Sequence, residues 1–225
     1  MTETVLAFLP FYPLISFVLL ILLGKHLSWC MASSLSVGSM VLSTLSCLFV
    51  ISQLSVDTPV ITSHLWNWFT LSLAEGANQA NQSIASININ FYLDGLSAVM
   101  ISVVTGIGLL IHIFAAAYMK ADENFSRFMA YMNLFIVAML ILVLADNLVL
   151  LYLGWEGVGL CSFLLIGFWY QEKANVLAAR KAFIVTRVGD TALAIGLFTL
   201  FKELGQLTIV DITKNAQMLW IAGDD

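Results

Sequence analysis

The chain has 225 residues, of which 60% are hydrophobic and only 10% charged, and its mean hydropathy is +0.95. A water-soluble domain carries charge at about a quarter of its positions, so this composition excludes one. The net charge of −5 comes without a basic patch, which argues against nucleic acid as a partner.

A helix needs about 20 apolar residues to cross the hydrocarbon layer. Six blocks of the sequence meet that length, at 5–23, 29–54, 96–119, 128–144, 147–170 and 178–201. The expected fold is therefore an all-α polytopic membrane protein with six transmembrane helices. The N-terminus begins Met1-Thr2-Glu3-Thr4, lacks a basic leader and has no clear cleavage site, which predicts a permanent first helix. Pro10 and Pro13 fall in the first turns of that block, where proline is best tolerated.

Residues 55–95 form a long connection without Lys or Arg up to the third block. Within it Leu65, Asn67, Phe69 and Leu71 alternate with Trp66, Trp68 and Thr70, and later Ile87, Ile89 and Phe91 alternate with Asn88 and Asn90. Period-two alternation on either side of the polar stretch at 75–83 predicts an external β-hairpin; an unstructured loop with interfacial tryptophans is the alternative. The sequon Asn81-Gln82-Ser83 is read as a chance match. Asp94, just before the third block, is expected to cap it.

Loop charges predict the orientation. Lys25, Lys120, Arg127, Lys173, Arg180 and Lys181 fall on one side of the stack, and only Lys202 and Lys214 on the other. The excess of basic residues in cytoplasmic loops then places the N-terminus outside. Arg180 and Lys181 are expected to snorkel at the cytoplasmic interface. Cys30, Cys47 and Cys161 lie inside apolar blocks without metal-ligand spacing and are read as packing residues. No metal site is expected.

An ionisable side chain at bilayer depth costs at least ~2.5 kcal/mol on insertion scales and points to function. Glu156 stands in Gly154-Trp155-Glu156-Gly157-Val158-Gly159, which places it about 13.5 Å into the fifth helix, near the midplane. The glycines around it allow a neighbouring backbone to approach closely. A carboxylate there can hold or pass a proton. In the sixth helix Arg187 and Asp190 share a face, and Ala178, Ala182, Thr186 and Asp190 recur every four residues as a small, polar stripe suited to burial. An Arg187–Asp190–Glu156 cluster is geometrically allowed; a local Arg187–Asp190 pair is the alternative. His112, in the third helix, could relay protons because imidazole titrates near neutral pH, or it could simply bond a neighbouring helix.

The run from Asn147 to Tyr170, together with Phe91-Tyr-Leu-Asp-Gly-Leu-Ser97, Arg127-Phe-Met-Ala-Tyr-Met-Asn-Leu-Phe135 and Lys181-Ala-Phe-Ile-Val-Thr-Arg-Val-Gly-Asp190, closely resembles the subunit L family of proton-pumping NADH:quinone oxidoreductase, complex I. The mitochondrial counterpart of that family is subunit 5. The resemblance covers most of the chain and is weakest at 55–82. Glycines around Glu156 look more like complex I than like the large subunit of multisubunit sodium/proton antiporters, its close relative.

The resemblance implies an antiporter-like bundle that pumps protons in the membrane arm. Glu156 matches the family's essential glutamate, and Arg187 and Asp190 match sixth-helix charges that modulate it. It further implies other membrane-arm subunits as partners, above all the neighbouring antiporter-like subunit. Flavin, iron–sulfur clusters and ubiquinone would be bound elsewhere in the complex, and no cofactor by this chain. The compartment implied is the bacterial inner membrane, with the mitochondrial inner membrane as alternative. Measured against the family, the sequence stops at Asp225, before the broken seventh helix and its lysine, the second repeat and the lateral helix. The expectation is a fragment or a truncated chain, with helices 4–6 at 128–201 beginning the first repeat and an external segment at 202–225. Such a chain would not pump alone, and Glu156 would lack its cationic partner. A sodium/proton antiporter subunit and a purely structural membrane module are the competing functions.

Overall fold

The structure, a computed structural model, describes residues 1–55, 57–73 and 83–221. Its elements run α1 (Thr2–Phe8), α2 (Phe11–Leu23), α3 (Trp29–Ser52), β1 (Ile61–Leu73), β2 (Ser83–Leu93), α4 (Gly95–Tyr118), α5 (Phe125–Leu144), α6 (Leu148–Ile166), α7 (Lys173–Leu204) and α8 (Ile209–Ile221). Among the described residues six helical stretches are long and apolar enough to cross a membrane, with α1 and α2 together making the first.

That first span is broken at Leu9 and Pro10. Pro10 and Pro13 both lack the N–H that an unbroken helix would use, and a proline ring crowds the carbonyl four residues back. Leu9 N–H turns to Leu6 O at 3.3 Å instead, and Leu14 N–H restarts the ladder on Pro10 O at 3.3 Å. Other ends follow their caps. Ser28 accepts from Met31 N–H at 3.3 Å, Asp94 from Ser97 N–H at 2.8 Å and Asn147 from Leu150 N–H at 2.9 Å. Helix α7 stops where Gly205 adopts φ 64, the left-handed conformation that glycine enters without penalty.

Two boundaries differ from expectation by more than three residues. Helix α6 ends at Ile166, since Gly167 caps it and Phe168 N–H closes a turn on Leu165 O at 3.3 Å. Helix α7 starts at Lys173, five residues before its apolar block, because propensity rather than hydropathy governs its first turns. Its 32 residues span about 48 Å, longer than the hydrocarbon layer. Helix α8 was not anticipated within the segment at 202–225.

β1 and β2 pair antiparallel from Ile61↔Leu93 to Leu73↔Ser83, with register shifts between His64 and Trp66 and between Asn67 and Phe69. The hairpin lies between α3 and α4 in the chain, as the alternation predicts. Its connection at 74–82, with most of the sequon, is outside the described residues. The strand period of two lets β2 turn Ile87, Phe91 and Leu93 into the protein.

Phe91 and Leu93 join Leu6, Leu9, Val50, Ile101, Leu140 and Leu144 in the larger apolar cluster. A second cluster at the other end of the bundle gathers Leu20, Ala32, Met119, Phe125, Met129 and Phe168. Between them, at mid-bundle, sit buried polar residues. Asn133 of α5 donates to Ser36 Oγ at 2.6 Å and to Met129 O at 2.9 Å, and accepts from Ser39 Oγ at 3.0 Å. It ties α5 to α3 with neutral groups alone.

Candidate functional site

Helix α6 lies between α5 and α7 and presents a different face to each. Toward α5 it presents glycine. A Cβ at Gly154 would stand 2.6 Å from Leu142 N and 2.7 Å from Leu142 Cα, and one at Gly157 would stand 3.0 Å from Ala138 Cβ. The two backbones are therefore nearly in contact, which fixes α6 in depth and rotation. Toward α7 it presents Trp155 and Glu156.

Arg187 of α7 forms an ion pair with Glu156 and a second with Asp190, its Nη1 standing 3.2 Å from Asp190 Oδ2. Both sequence alternatives thus coexist, because one guanidinium serves two carboxylates. The cation that meets Glu156 is Arg187, as the cluster of the three residues requires. Phe183, one turn before Arg187, stacks beneath the guanidinium at 4.3 Å from its ring centroid.

Asp190 is the most enclosed member, its side chain 7% exposed, against 27% for Glu156 and 29% for Arg187. Its second oxygen accepts the Trp155 indole N–H at 2.7 Å. Trp155 is the contact to the charged cluster that spacing arguments missed. The available signal was the indole itself, since a tryptophan N–H inside a membrane helix must find an acceptor. All four residues lie near mid-helix: Glu156 is eight residues from the start of a 19-residue helix, and Arg187 and Asp190 straddle the centre of a 32-residue one.

His112 is placed elsewhere. It is fully buried on α4, its Nδ1 bonding Gly108 O at 2.7 Å. Its Nε2 has no partner among the described residues. It lines an apolar crevice with Ile107, Phe135, Met139 and Leu165, and no hydrogen bond links it to the charged cluster. Among the described residues no group of His, Cys, Asp and Glu could hold a metal ion. The three cysteines are free thiols.

Two family models match the sequence. One, described as NADH-ubiquinone oxidoreductase (complex I) chain 5 N-terminus, matches residues 81–129. The other, described as NADH:quinone oxidoreductase/Mrp antiporter, TM, matches residues 145–222 and so contains the whole charged cluster. Among curated relatives, NADH-quinone oxidoreductase subunit L of Escherichia coli K12 is 45% identical over 95% of this chain and 33% of its own length. Its counterpart in Pseudomonas aeruginosa is 48% identical over the same shares, and that of Mycobacterium tuberculosis H37Rv is 48% identical over 56% of this chain and 20% of its own. The chain spans about a third of the length of the first two relatives.

Proposed function

We propose that this chain, which belongs to the antiporter-like membrane subunits of NADH:quinone oxidoreductase, carries protons across the membrane through Glu156, Arg187 and Asp190. The observation that carries this reading is the count of charges at mid-helix among the described residues: two acids share one base. With both carboxylates ionised the cluster bears one net negative charge in a medium of low dielectric. Uptake of one proton neutralises it, and Glu156, the acid more accessible to an arriving proton, is the group that takes it. Arg187 sets when. While it holds Glu156 that carboxylate stays ionised. When the guanidinium moves fully onto Asp190, Glu156 is left without a counter-ion and binds a proton. Its return expels that proton. Trp155 holds Asp190 in place throughout.

On this reading, electron transfer in other subunits drives the motion, and flavin, iron–sulfur clusters and quinone belong to those subunits. The partners are the other membrane-arm subunits, the adjacent antiporter-like subunit among them. The compartment is the bacterial inner membrane, which the bacterial relatives favour over the mitochondrial one. Lys25 between α2 and α3, Lys120 between α4 and α5, and Arg127 and Lys173 in the first turns of α5 and α7 support an N-terminus outside.

The test is Glu156→Gln in the complete subunit, assayed in sealed vesicles that oxidise NADH. Proton movement per NADH is expected to fall, and a wild-type ratio would sink the proposal. The second family description also covers an antiporter, which supports a cation-exchanging alternative. That alternative requires proton movement to respond to a sodium gradient in the absence of NADH. A purely structural module requires that Glu156→Gln alter only the amount of complex assembled.

A further inference from the structure

Helices α6 and α7 both begin or end at one small corner, residues 145–147 between α5 and α6. Its backbone is bridged on one side to β2, where Phe91 pairs with Ala145, and on the other to the segment after α7, where Asn147 pairs with Thr208. Leu148 N–H donates to Leu207 O at 3.0 Å and Ile209 N–H to Asp146 O at 2.9 Å. The helix that carries Glu156 and the helix that carries Arg187 and Asp190 are therefore referenced to the same three residues.

The side chains there form a directed chain of hydrogen bonds. His64 Nδ1 stands 2.6 Å from Asn90 Oδ1, Asn90 Nδ2 donates to Asp146 Oδ2 at 2.7 Å, and Asn147 Nδ2 donates to Asp146 Oδ1 at 2.6 Å. Asn147 Nδ2 also donates to Asn88 O at 2.8 Å, while its Oδ1 accepts Leu150 N–H at the start of α6. Each amide can point only one way. The α6 N–H needs an oxygen, so the nitrogen of Asn147 must face Asp146. Both oxygens of Asp146 are thereby committed to amide donors, so Asn90 turns its own oxygen to His64, which donates from Nδ1. A cap alone needs none of this, since serine or threonine would serve.

We propose that Asp146 and Asn147 are positioning residues: a latch through which the β-hairpin holds the entry of α6 and the exit of α7, and so holds Glu156 opposite Arg187. The latch extends the proton-carrying role argued for that cluster and rests on it where pumping is concerned. Glu156 lies nine residues beyond Asn147, about 13.5 Å along a rigid helix. A slip or turn of the first residue is carried undiminished to the carboxylate.

Asn147→Ser separates the latch from the cap, because it keeps an acceptor for Leu150 N–H and loses both amide donations. Asp146→Asn keeps size and sets amide donors against each other. Both are made in the complete subunit within its complex, in a Cys30→Ser background, beside Glu156→Gln. The first measurement is alkylation of Cys161, fully buried on α6, by a small membrane-permeant maleimide, with the labelled peptide identified by mass spectrometry. Cys161 is expected to react at least fivefold faster in both variants than in the parent; equal protection overturns the latch whatever pumping does. The second is protons moved per NADH oxidised at matched complex content, expected to fall at least twofold. A parental ratio in Asn147→Ser also overturns the latch where Glu156→Gln has abolished pumping. If Glu156→Gln pumps normally, the proton-carrying role falls and Cys161 labelling alone decides the latch.

Discussion

The contact between α5 and α6 predicts a graded response to adding one methyl group at each glycine around Glu156. At Gly154 the new Cβ would lie 2.6 Å from a backbone nitrogen, against 3.4 Å where ordinary contact begins, so the helices must part by about 0.8 Å or the backbone must bend. Overpacking of this kind costs about 1–3 kcal/mol, and alanine returns up to about 1 kcal/mol in helix propensity. Gly154→Ala is therefore expected to destabilise by about 1–2 kcal/mol. At Gly157 the neighbour is the Ala138 methyl at 3.0 Å, which yields by a few tenths of an ångström, and the two terms roughly cancel. At Gly159 the nearest atom is Arg187 Nη2 at 3.6 Å, an ordinary contact, and propensity leaves a small gain. The measurement is the midpoint of helix loss, by far-ultraviolet circular dichroism, as sodium dodecyl sulfate is titrated into the protein in mild detergent. Gly154→Ala should unfold first and Gly159→Ala last. Equal midpoints for these two would refute the close approach of α5 and α6.

Removing the indole donor with Trp155→Phe should weaken the hold on Asp190 by about 1.5–3 kcal/mol, the range for a hydrogen bond to a charged group, and lower the thermal midpoint in detergent. Asn133→Ala should cost about 1 kcal/mol by the same measurement, since interhelical hydrogen bonds in membranes contribute modestly, while leaving protons moved per NADH unchanged. Asp146, outside the spans, is held above the ordinary carboxylate value of 3.8 because burial outweighs the donations of Asn90 and Asn147 and the charge of His64. A carboxyl raised on folding contributes stability below its unfolded value and loses it as pH rises through the raised one. Melting of Asp146→Asn relative to wild type should therefore improve as pH rises above the ordinary value of 3.8; a difference constant with pH would contradict the raised value.

Much of this was legible in the sequence because lipid imposes simple rules. Span length fixed the six crossings to within a few residues, and alternation at 87–91 located the inward strand. The errors lie where hydropathy says nothing. Lys173 to Leu177 begin α7 although they are not an apolar block, and Leu9–Pro10 breaks a span of uniform hydropathy through lost N–H groups. Within the site, depth and helical period brought Glu156, Arg187 and Asp190 near one another. Neither could reveal Trp155, whose partner depends on the rotation of α6 about its axis. Nor could they reveal Asp146 and Asn147, whose partners lie on the hairpin and at the α7–α8 corner.

The bundle itself supplies the argument against a merely structural cluster. Where it needs to tie two helices at depth, it does so with Asn133, Ser36 and Ser39, all fully or nearly fully buried and all neutral. That tie leaves no ion to desolvate. The α6–α7 contact uses three charges instead, each of which costs several kcal/mol to remove from water, and among the described residues their sum is not zero. A neutral tie would hold the same helices at lower cost, as the neighbouring pair demonstrates. An excess carboxylate among the described residues supports the proposal that its charge changes, and a proton is the smallest thing that changes it.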